Sequence, residues 1–209
     1  MKLLGCIIHR KGPSQSNSIA ITFDDGPHNS NTRRIIEMFE QNNGHGTFFV
    51  TGEHISQSKN LVKEMTTQGH TIGNHTYTHC NAFLVSRKKL YDEISKTKEL
   101  IENITGAQNK YFRPPFGIIT PGLLSICRQV GLIVVLWSGN SLDFRNGPAS
   151  SIAYRLRNAI RPGSILLFHE CHFKKQHVNY SNTLSAMQNI ITSSRQKKLN
   201  LITISEMFK

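Results

Sequence analysis

A chain of 209 residues, 38% hydrophobic and 18% charged, has the length and apolar content to bury a sizeable core in one ordinary domain, which excludes a disordered chain. Its longest uninterrupted apolar run, Leu132 to Trp137, is six residues, far short of the roughly 20 that a membrane-crossing helix needs. Lysine and arginine number 25 against 13 acids, a formal charge of +12, which favours anionic partners such as wall polymers, acidic lipids or nucleic acid without choosing among them.

The chain starts Met1-Lys2-Leu3-Leu4-Gly5-Cys6-Ile7-Ile8, and His9, Arg10 and Lys11 end the apolar stretch before a signal-peptide core can form. Leu3 to Ile8 therefore reads as a first β-strand, and as written the chain carries no export signal. Further strands are expected at Ile19 to Asp24, Gly46 to Thr51, Thr71 to Asn74, Tyr111 to Arg113, Leu132 to Ser138, Ser164 to His169 and Leu199 to Ile204. Helical spacing lies between them. Thr32 to Asn43 sets Ile35, Ile36, Met38 and Phe39 on one side, and Ser86 to Thr105 sets Leu90, Ile94, Leu100, Ile101 and Ile104 near one face. Gly44, Gly69, Gly106 and Gly131 are expected to stop four helices in succession.

Alternation of strand and helix implies parallel strands with crossover helices. About seven such units fit a closed or nearly closed α/β barrel better than an open doubly wound sheet. With no glycine-rich phosphate loop, internal repeat or linker-like composition shift, residues 1–209 are expected to form a single domain. The four cysteines, Cys6, Cys80, Cys127 and Cys171, include no C-x-x-C pair, which excludes a zinc ribbon and a disulfide framework and leaves the redox compartment open. Cys80 and Cys171 stand close to the histidines described next and are candidates for a disulfide at the barrel mouth.

Ile21-Thr22-Phe23-Asp24-Asp25-Gly26-Pro27 places two adjacent carboxylates at a strand end, before a Gly-Pro turn. His75-Thr76-Tyr77-Thr78-His79 spaces two imidazoles so that they share a face if the segment is helical or tightly turned. Two histidines and one carboxylate make a three-ligand metal site with positions left for water and substrate. Phe112-Arg113-Pro114-Pro115-Phe116-Gly117 adds a fixed cation and a rigid turn. Leu136 to Phe144 adds an apolar wall and the Asp143 carboxylate, and Leu166-Leu167-Phe168-His169-Glu170 ends an apolar strand in an imidazole. Alone, each segment has a plain structural reading as an acidic turn, surface charge, core aromatic or strand-end histidine. Together they place the groups of a metal-assisted hydrolysis at the C-terminal strand ends, where barrel enzymes react.

At these residues the sequence resembles the polysaccharide deacetylases of carbohydrate esterase family 4, which share a nodulation-protein-type deacetylase domain. Thr22 to Pro27, His75 to His79, Arg113 to Gly117, Asp143-Phe144 and Leu167 to His169 match the family's five motifs in order, over residues 22–169. The resemblance implies a distorted (β/α) barrel covering nearly the whole chain. It implies a metal-dependent hydrolase that removes N-acetyl groups from an amino-sugar polymer or oligomer, peptidoglycan or chitin-like, and releases acetate. Asp25, His75 and His79 would bind a divalent metal, usually Zn2+, with Co2+ or another transition metal as alternatives. Asp24 would be the general base, oriented and kept ionised by Arg113. Adjacent carboxylates on an extended chain point apart, which suits this division. By the same resemblance the backbone N–H of Phe116 stabilises the tetrahedral oxyanion, while His169, paired with Asp143, protonates the departing amine. Phe144 and Leu167 are expected to line the acetyl pocket, and Trp137 either supports that wall or packs in the core.

Two departures stand out: Phe144 where the family often has Trp, and Asn140 where an Asp is common. The alternatives are an O-acetyl esterase acting on xylan, or a catalytically silent carbohydrate-binding protein of the same fold. A specific nucleic-acid binder is disfavoured, since the sequence has no recognition-helix motif and no clustered basic and aromatic residues. The resemblance suggests work in the envelope or outside the cell, the N-terminus as written suggests cytoplasmic retention, and oligomeric state is not set.

Overall fold

The computed structural model describes residues 1–173 and 180–209. It opens with a hairpin, β1 (Lys2–Leu3) and β2 (Cys6–His9). The turn residues Leu4 and Gly5 have φ of 48° and 77°, the left-handed pair that suits a two-residue hairpin. The strand expected over Leu3 to Ile8 is thus two short arms, the second of which docks parallel on β7 (Ile133–Val135) through Ile8 and Val134.

From there strands and helices alternate. β3 (Ser18–Asp24), α1 (Asn29–Glu40), β4 (Thr47–Val50), α2 (Gly52–Gln57), α3 (Lys59–Thr67), β5 (Thr71–Asn74) and α4 (Arg87–Thr105) form the first half. β6 (Tyr111–Phe112), α5 (Pro121–Gln129), β7 (Ile133–Val135), β8 (Gly139–Asn140), α6 (Ala149–Leu156), β9 (Ile165–His169), α7 (Ser181–Gln196), β10 (Asn200–Leu201) and α8 (Ile204–Met207) complete the chain. The sheet order is β1-β2-β7-β6-β5-β4-β3-β9-β8, with β10 added to β3. Every pairing except that of β1 with β2 is parallel.

The segment of residues 133–140 carries two short strands separated by a bend at Ser138 and serves both sides of the sheet. Its start, β7, pairs with β2 and β6, and its end, β8, pairs with β9. The order β3-β4-β5-β6 therefore returns to β3 through this segment and β9, which curls the sheet into a distorted (β/α) barrel. β3, β4 and β9 are buried almost throughout, as parallel strands covered on both faces must be, and so read as continuous apolar runs. Phe23 packs its ring on Phe48 at 5.3 Å and on Phe168 at 5.8 Å, joining three neighbouring strands through one core. Among the described residues no helix is long and apolar enough to cross a membrane.

Three expectations change. Leu199 to Ile204 is strand only over Asn200–Leu201, because Thr203 and Glu206 form a reciprocal capping box that starts α8 at Ile204. The stop expected at Gly44 is made one residue earlier by Asn43, which has φ 46°; Gly69, Gly106 and Gly131 do take left-handed φ. All four cysteines, Cys80 and Cys171 included, are free thiols.

Strand register places the site. Asp24 lies opposite His169 across β3 and β9, Val50 opposite Asn74, and Asn74 opposite Phe112. The residues that follow, Asp25, His75 and Arg113, consequently leave the sheet on one rim, at the C-terminal ends of the strands.

A candidate metal centre between two carboxylate pairs

Asp25, His75 and His79 each bring one ligand atom to a common point, all within 4.8 Å of one another, and all three residues are buried. Nε2 of His79 lies 3.1 Å and Nε2 of His75 3.5 Å from Oδ1 of Asp25. The His75-to-His79 segment is turned rather than helical. Thr76 (φ 65°) and His79 (φ 55°) are left-handed, and Oε2 of Glu93, reaching across from α4, accepts the backbone N–H of Tyr77 at 2.9 Å and of Thr78 at 2.7 Å. Nδ1 of His75 donates to the carbonyl of Arg113 at 2.6 Å, which leaves Nε2 as an acceptor in the neutral ring. Burial lowers the pKa of His79 against the pull of Asp25, favouring the neutral imidazole that ligates metals. Burial opposes the charge on Asp25, yet the facing imidazoles of His75 and His79 outweigh it and hold the carboxyl well below its ordinary range. Oδ1 of Asp25 is buried without a hydrogen-bond partner. A buried oxygen without a hydrogen-bond partner, beside the Nε2 atoms of two imidazoles, completes a donor set that a divalent cation satisfies.

Beside this cluster, Oδ1 of Asp24 accepts from Nη1 of Arg113 at 2.7 Å, while its Oδ2 lies 3.7 Å from Nε2 of His75. The two carboxylates of the Asp-Asp pair thus diverge, one towards the guanidinium and the other towards both histidines. Arg113 is fully buried, and each of its three nitrogens donates: Thr22 Oγ1 also accepts from Nη1 at 2.7 Å, and the carbonyls of Val135 and Leu136 accept from Nε and Nη2 at 3.1 Å each. The ring of Phe49 stacks under the guanidinium at 4.1 Å. Burial lowers the pKa of Arg113 and Asp24 opposes that shift; the side chain is still a permanent cation.

Across the cleft, Nδ1 of His169 donates to Oδ1 of Asp143 at 2.7 Å, and its backbone N–H donates to Oδ2 at 2.9 Å. Asp143 starts a short 3-10 turn, Asp143–Arg145. It also accepts from Ser141 Oγ, from the backbone N–H of Phe144 and from Thr183 Oγ1 on α7. Burial alone would lower the pKa of His169. Asp143, reinforced by Asp25 and Asp24, reverses this and pushes it up to about 9.

A cleft of about 400 Å³ connects these groups. It is lined by Asp24, Asp25, His75, His79 and His169, and walled by Phe116, Trp137, Phe144 and Leu167. Arg113 and Asp143 stand behind the lining, each bonded to a residue that forms it. Trp137 is half-buried, and its ring fills the space beside Gly117, where a Cβ would lie 2.7 Å from Cη2. Phe116 holds φ 61°, a left-handed conformation costly for a bulky residue. Three further lining residues are Asn140, His172 and Phe173; Phe173 stacks on His79 with ring centroids 4.0 Å apart. Neither His172 nor Phe173, nor Thr183 on Asp143, carries a local sequence signal of its role.

The underside of Asp25 is also polar. Its carbonyl accepts from Nδ1 of His54 at 2.6 Å and from Sγ of Cys171 at 3.2 Å. Glu170 is fully buried beneath Gly26, where a Cβ would collide with its carboxyl. Burial pushes the pKa of Glu170 up to about 8, the Thr32 hydroxyl opposing and Asp25 and Asp24 adding to the shift.

Comparison with known proteins follows the same residues. A family model described as polysaccharide deacetylase matches residues 11–135, a stretch that includes Asp24, Asp25, His75, His79, Arg113 and Phe116 and stops short of Asp143 and His169. A peptidoglycan-N-acetylglucosamine deacetylase of Bacillus cereus is 31% identical over 198 residues, covering 95% of this chain and 70% of its own length. A bifunctional xylanase/xylan deacetylase of Cellvibrio japonicus is 32% identical over 189 residues, 90% of this chain and 27% of that protein. Among solved structures, a peptidoglycan N-acetylglucosamine deacetylase in complex with a naphthalenyl N-oxidanyl-benzamide has a TM-score of 0.90 at 30% identity, covering 97% of this chain and 92% of the other.

Proposed function

The chain belongs to the polysaccharide deacetylase family, carbohydrate esterase family 4, and from that premise we propose that it hydrolyses the N-acetyl groups of amino sugars in a peptidoglycan-type glycan, releasing acetate. The observation that carries the reading is one cleft holding a three-residue metal-ligand set with a carboxylate on one side and an imidazole on the other. A charge of +12 suits a glycan that bears carboxylates. The reading takes residues 1–209 as one polysaccharide-deacetylase domain.

In this mechanism Asp25, His75 and His79 hold a divalent metal, and two imidazoles with one carboxylate favour zinc, with cobalt able to replace it. When bound, the ion supplies Lewis-acid polarisation of the acetyl carbonyl and lowers the pKa of water towards about 7. Asp24, aimed by Arg113, takes a proton from the attacking water as its oxygen bonds to the acetyl carbon. The backbone N–H of Phe116 donates to the oxyanion that develops on the carbonyl oxygen. His169 enters the step protonated and delivers its proton to the sugar nitrogen as the C–N bond breaks. Asp143 holds that imidazole in one orientation and favours its charged form. Phe116, Trp137, Phe144 and Leu167 close an apolar wall around the methyl group.

Acetate release from N-acetylglucosamine oligomers and from purified peptidoglycan, measured before and after chelation, tests the reading. Release that is lost on chelation and restored by Zn2+ or Co2+ is expected. Folded, metal-replete protein that releases no acetate from these substrates overturns it in favour of a silent glycan binder. Faster release from acetylated xylan favours the O-acetyl esterase, the reading to which the xylan deacetylase similarity points.

A further inference from the structure

Asp25 has φ 75°, so the residue proposed to ligate the metal sits outside the extended run of β3 and in a conformation that residues bearing a side chain adopt rarely. The carbonyls on either side of it are satisfied by backbone: that of Asp24 accepts from the N–H of Glu170 at 3.4 Å, that of Gly26 from the N–H of Thr51 at 2.9 Å. The carbonyl of Asp25 is met instead by side chains. Nδ1 of His54, on α2, lies 2.6 Å away, and Sγ of Cys171, two residues beyond β9, lies 3.2 Å away. The two donors are 3.8 Å from each other. Because the partner is a carbonyl oxygen, Nδ1 of His54 carries the hydrogen.

We infer that His54 and Cys171 are positioning residues that clamp the Asp25 peptide and so aim its carboxylate at the metal. A buried carbonyl deprived of its donors must find others or turn. The left-handed region that Asp25 occupies is narrow in ψ, so turning this peptide forces the φ of Asp25 to follow, and a change of φ swings Cβ and the carboxylate. The clamp therefore acts on the ligand through the main chain, without either donor belonging to the ligand set itself. It draws on elements far apart in the chain, α2 and the segment after β9, so the aim of Asp25 depends on the assembled barrel. The inference rests on the reading of Asp25 as a metal ligand.

The test titrates chelator-stripped, folded protein with Zn2+ against a chromogenic competitor and records the visible spectrum of the Co2+ form, which reports ligand geometry apart from turnover. His54→Leu is expected to weaken Zn2+ binding roughly 10–100-fold, the usual consequence of losing an outer partner of a ligand, and to alter the Co2+ bands. His54→Asn, whose amide N–H can stand where Nδ1–H stood, is expected to restore most of the affinity. Cys171→Ala should give a smaller loss than His54→Leu and Cys171→Ser should reverse it, since a thiol is the weaker donor; this pair decides the matter if His54→Leu does not fold. Parent-like Zn2+ affinity and Co2+ spectrum in His54→Leu, or an Asn variant as weak as Leu, overturns the clamp alone. A parent that takes up neither ion overturns the metal reading and the clamp together.

Discussion

Asp24 accepts from a guanidinium that solvent does not reach, its side chain 0% exposed, whereas Asp143 accepts from an imidazole whose side chain is 13% exposed at the cleft. The closest contact is 2.7 Å in both pairs, so distance does not distinguish them. What differs is whether the cation can part with a proton. Arg113 stays charged at any pH the protein survives, and it can only supply charge and direction. His169 can deliver a proton and take it back. In the proposed mechanism the pair with the permanent cation leaves the carboxylate as the group that would react, and the pair with the exchangeable cation makes the carboxylate the support. One motif of carboxylate and cation would thus serve, in that mechanism, as base on one side of the cleft and as acid on the other, as a hydrolysis that needs both requires.

Removing the reacting member of each pair tests this most severely. Asp24→Asn and His169→Ala are each expected to lower kcat by about 10²–10⁴, the usual worth of a positioned acid or base, while Zn2+ uptake stays near that of the parent. Asp25→Ala should instead abolish metal uptake. Acetate-release kinetics run beside metal titration separate the two results, and near-parental turnover in Asp24→Asn or His169→Ala would break the comparison on that side.

The supporting members should differ in stability rather than in rate. Arg113→Leu leaves a buried carboxylate without its cation and removes four hydrogen bonds, one to Asp24 and three to Thr22, Val135 and Leu136. Breaking such a pair costs about 3–5 kcal/mol, so denaturant unfolding should show a large loss. Asp143→Ala removes a carboxylate whose imidazole partner can become neutral at the cleft. A clearly smaller stability loss is expected there, with a large loss of turnover.

How far these pairs were legible in the sequence follows from the same physics. Asp24, Asp25, His75 and His79 announce themselves because their chemistry needs neighbours at fixed spacing, and strands such as Ile165–His169 do so because burial on both faces demands apolar runs. The (β/α) alternation was legible for this reason too. Arg113 is different: a lone arginine in sequence looks like surface, and only the fold shows that all three of its nitrogens donate inside. Thr183, His54, Cys171 and Phe173 act through contacts made across the barrel, which no local pattern encodes. The shortening of the last strand was readable in principle, since Thr203 and Glu206 have capping-box spacing, but Leu199, Leu201, Ile202 and Ile204 give the same stretch a strand-like pattern.

Proton exchange on one side alone should appear in pH dependence. The folded-state pKa of His169, about 9, lies above the ordinary imidazole value, so its pairing contributes stability fully below about 6.5. That contribution is lost as pH rises through about 9. Activity should fall over the same limb as the proton donor empties, and a bound cation, by offsetting Asp25 and Asp24, would draw the limb lower. Asp143→Asn removes the largest support for the imidazolium and should shift the alkaline limb of kcat/KM downward and flatten the pH dependence of Tm between those values. An unmoved limb would show that another group sets it.

The smallest effect gives the finest comparison, because each pair leans on one threonine hydroxyl. Thr22 Oγ1 accepts from Arg113 at 2.7 Å and donates to the carbonyl of Leu166 at 2.8 Å, whereas Thr183 Oγ1 donates to Oδ2 of Asp143 at 3.1 Å. Valine is close in shape and removes only the hydroxyl, so either substitution should lower stability by about 1 kcal/mol. Their kinetic signatures should part. Thr183→Val withdraws a donor from Asp143, which then attracts the imidazolium more strongly, and the alkaline limb should move slightly upward. Thr22→Val touches a cation that does not titrate and should leave that limb where it is. Matching shifts in both variants, read from kcat/KM between pH 6 and about 10, would mean that the two sides are coupled through the strands and do not work as separate devices.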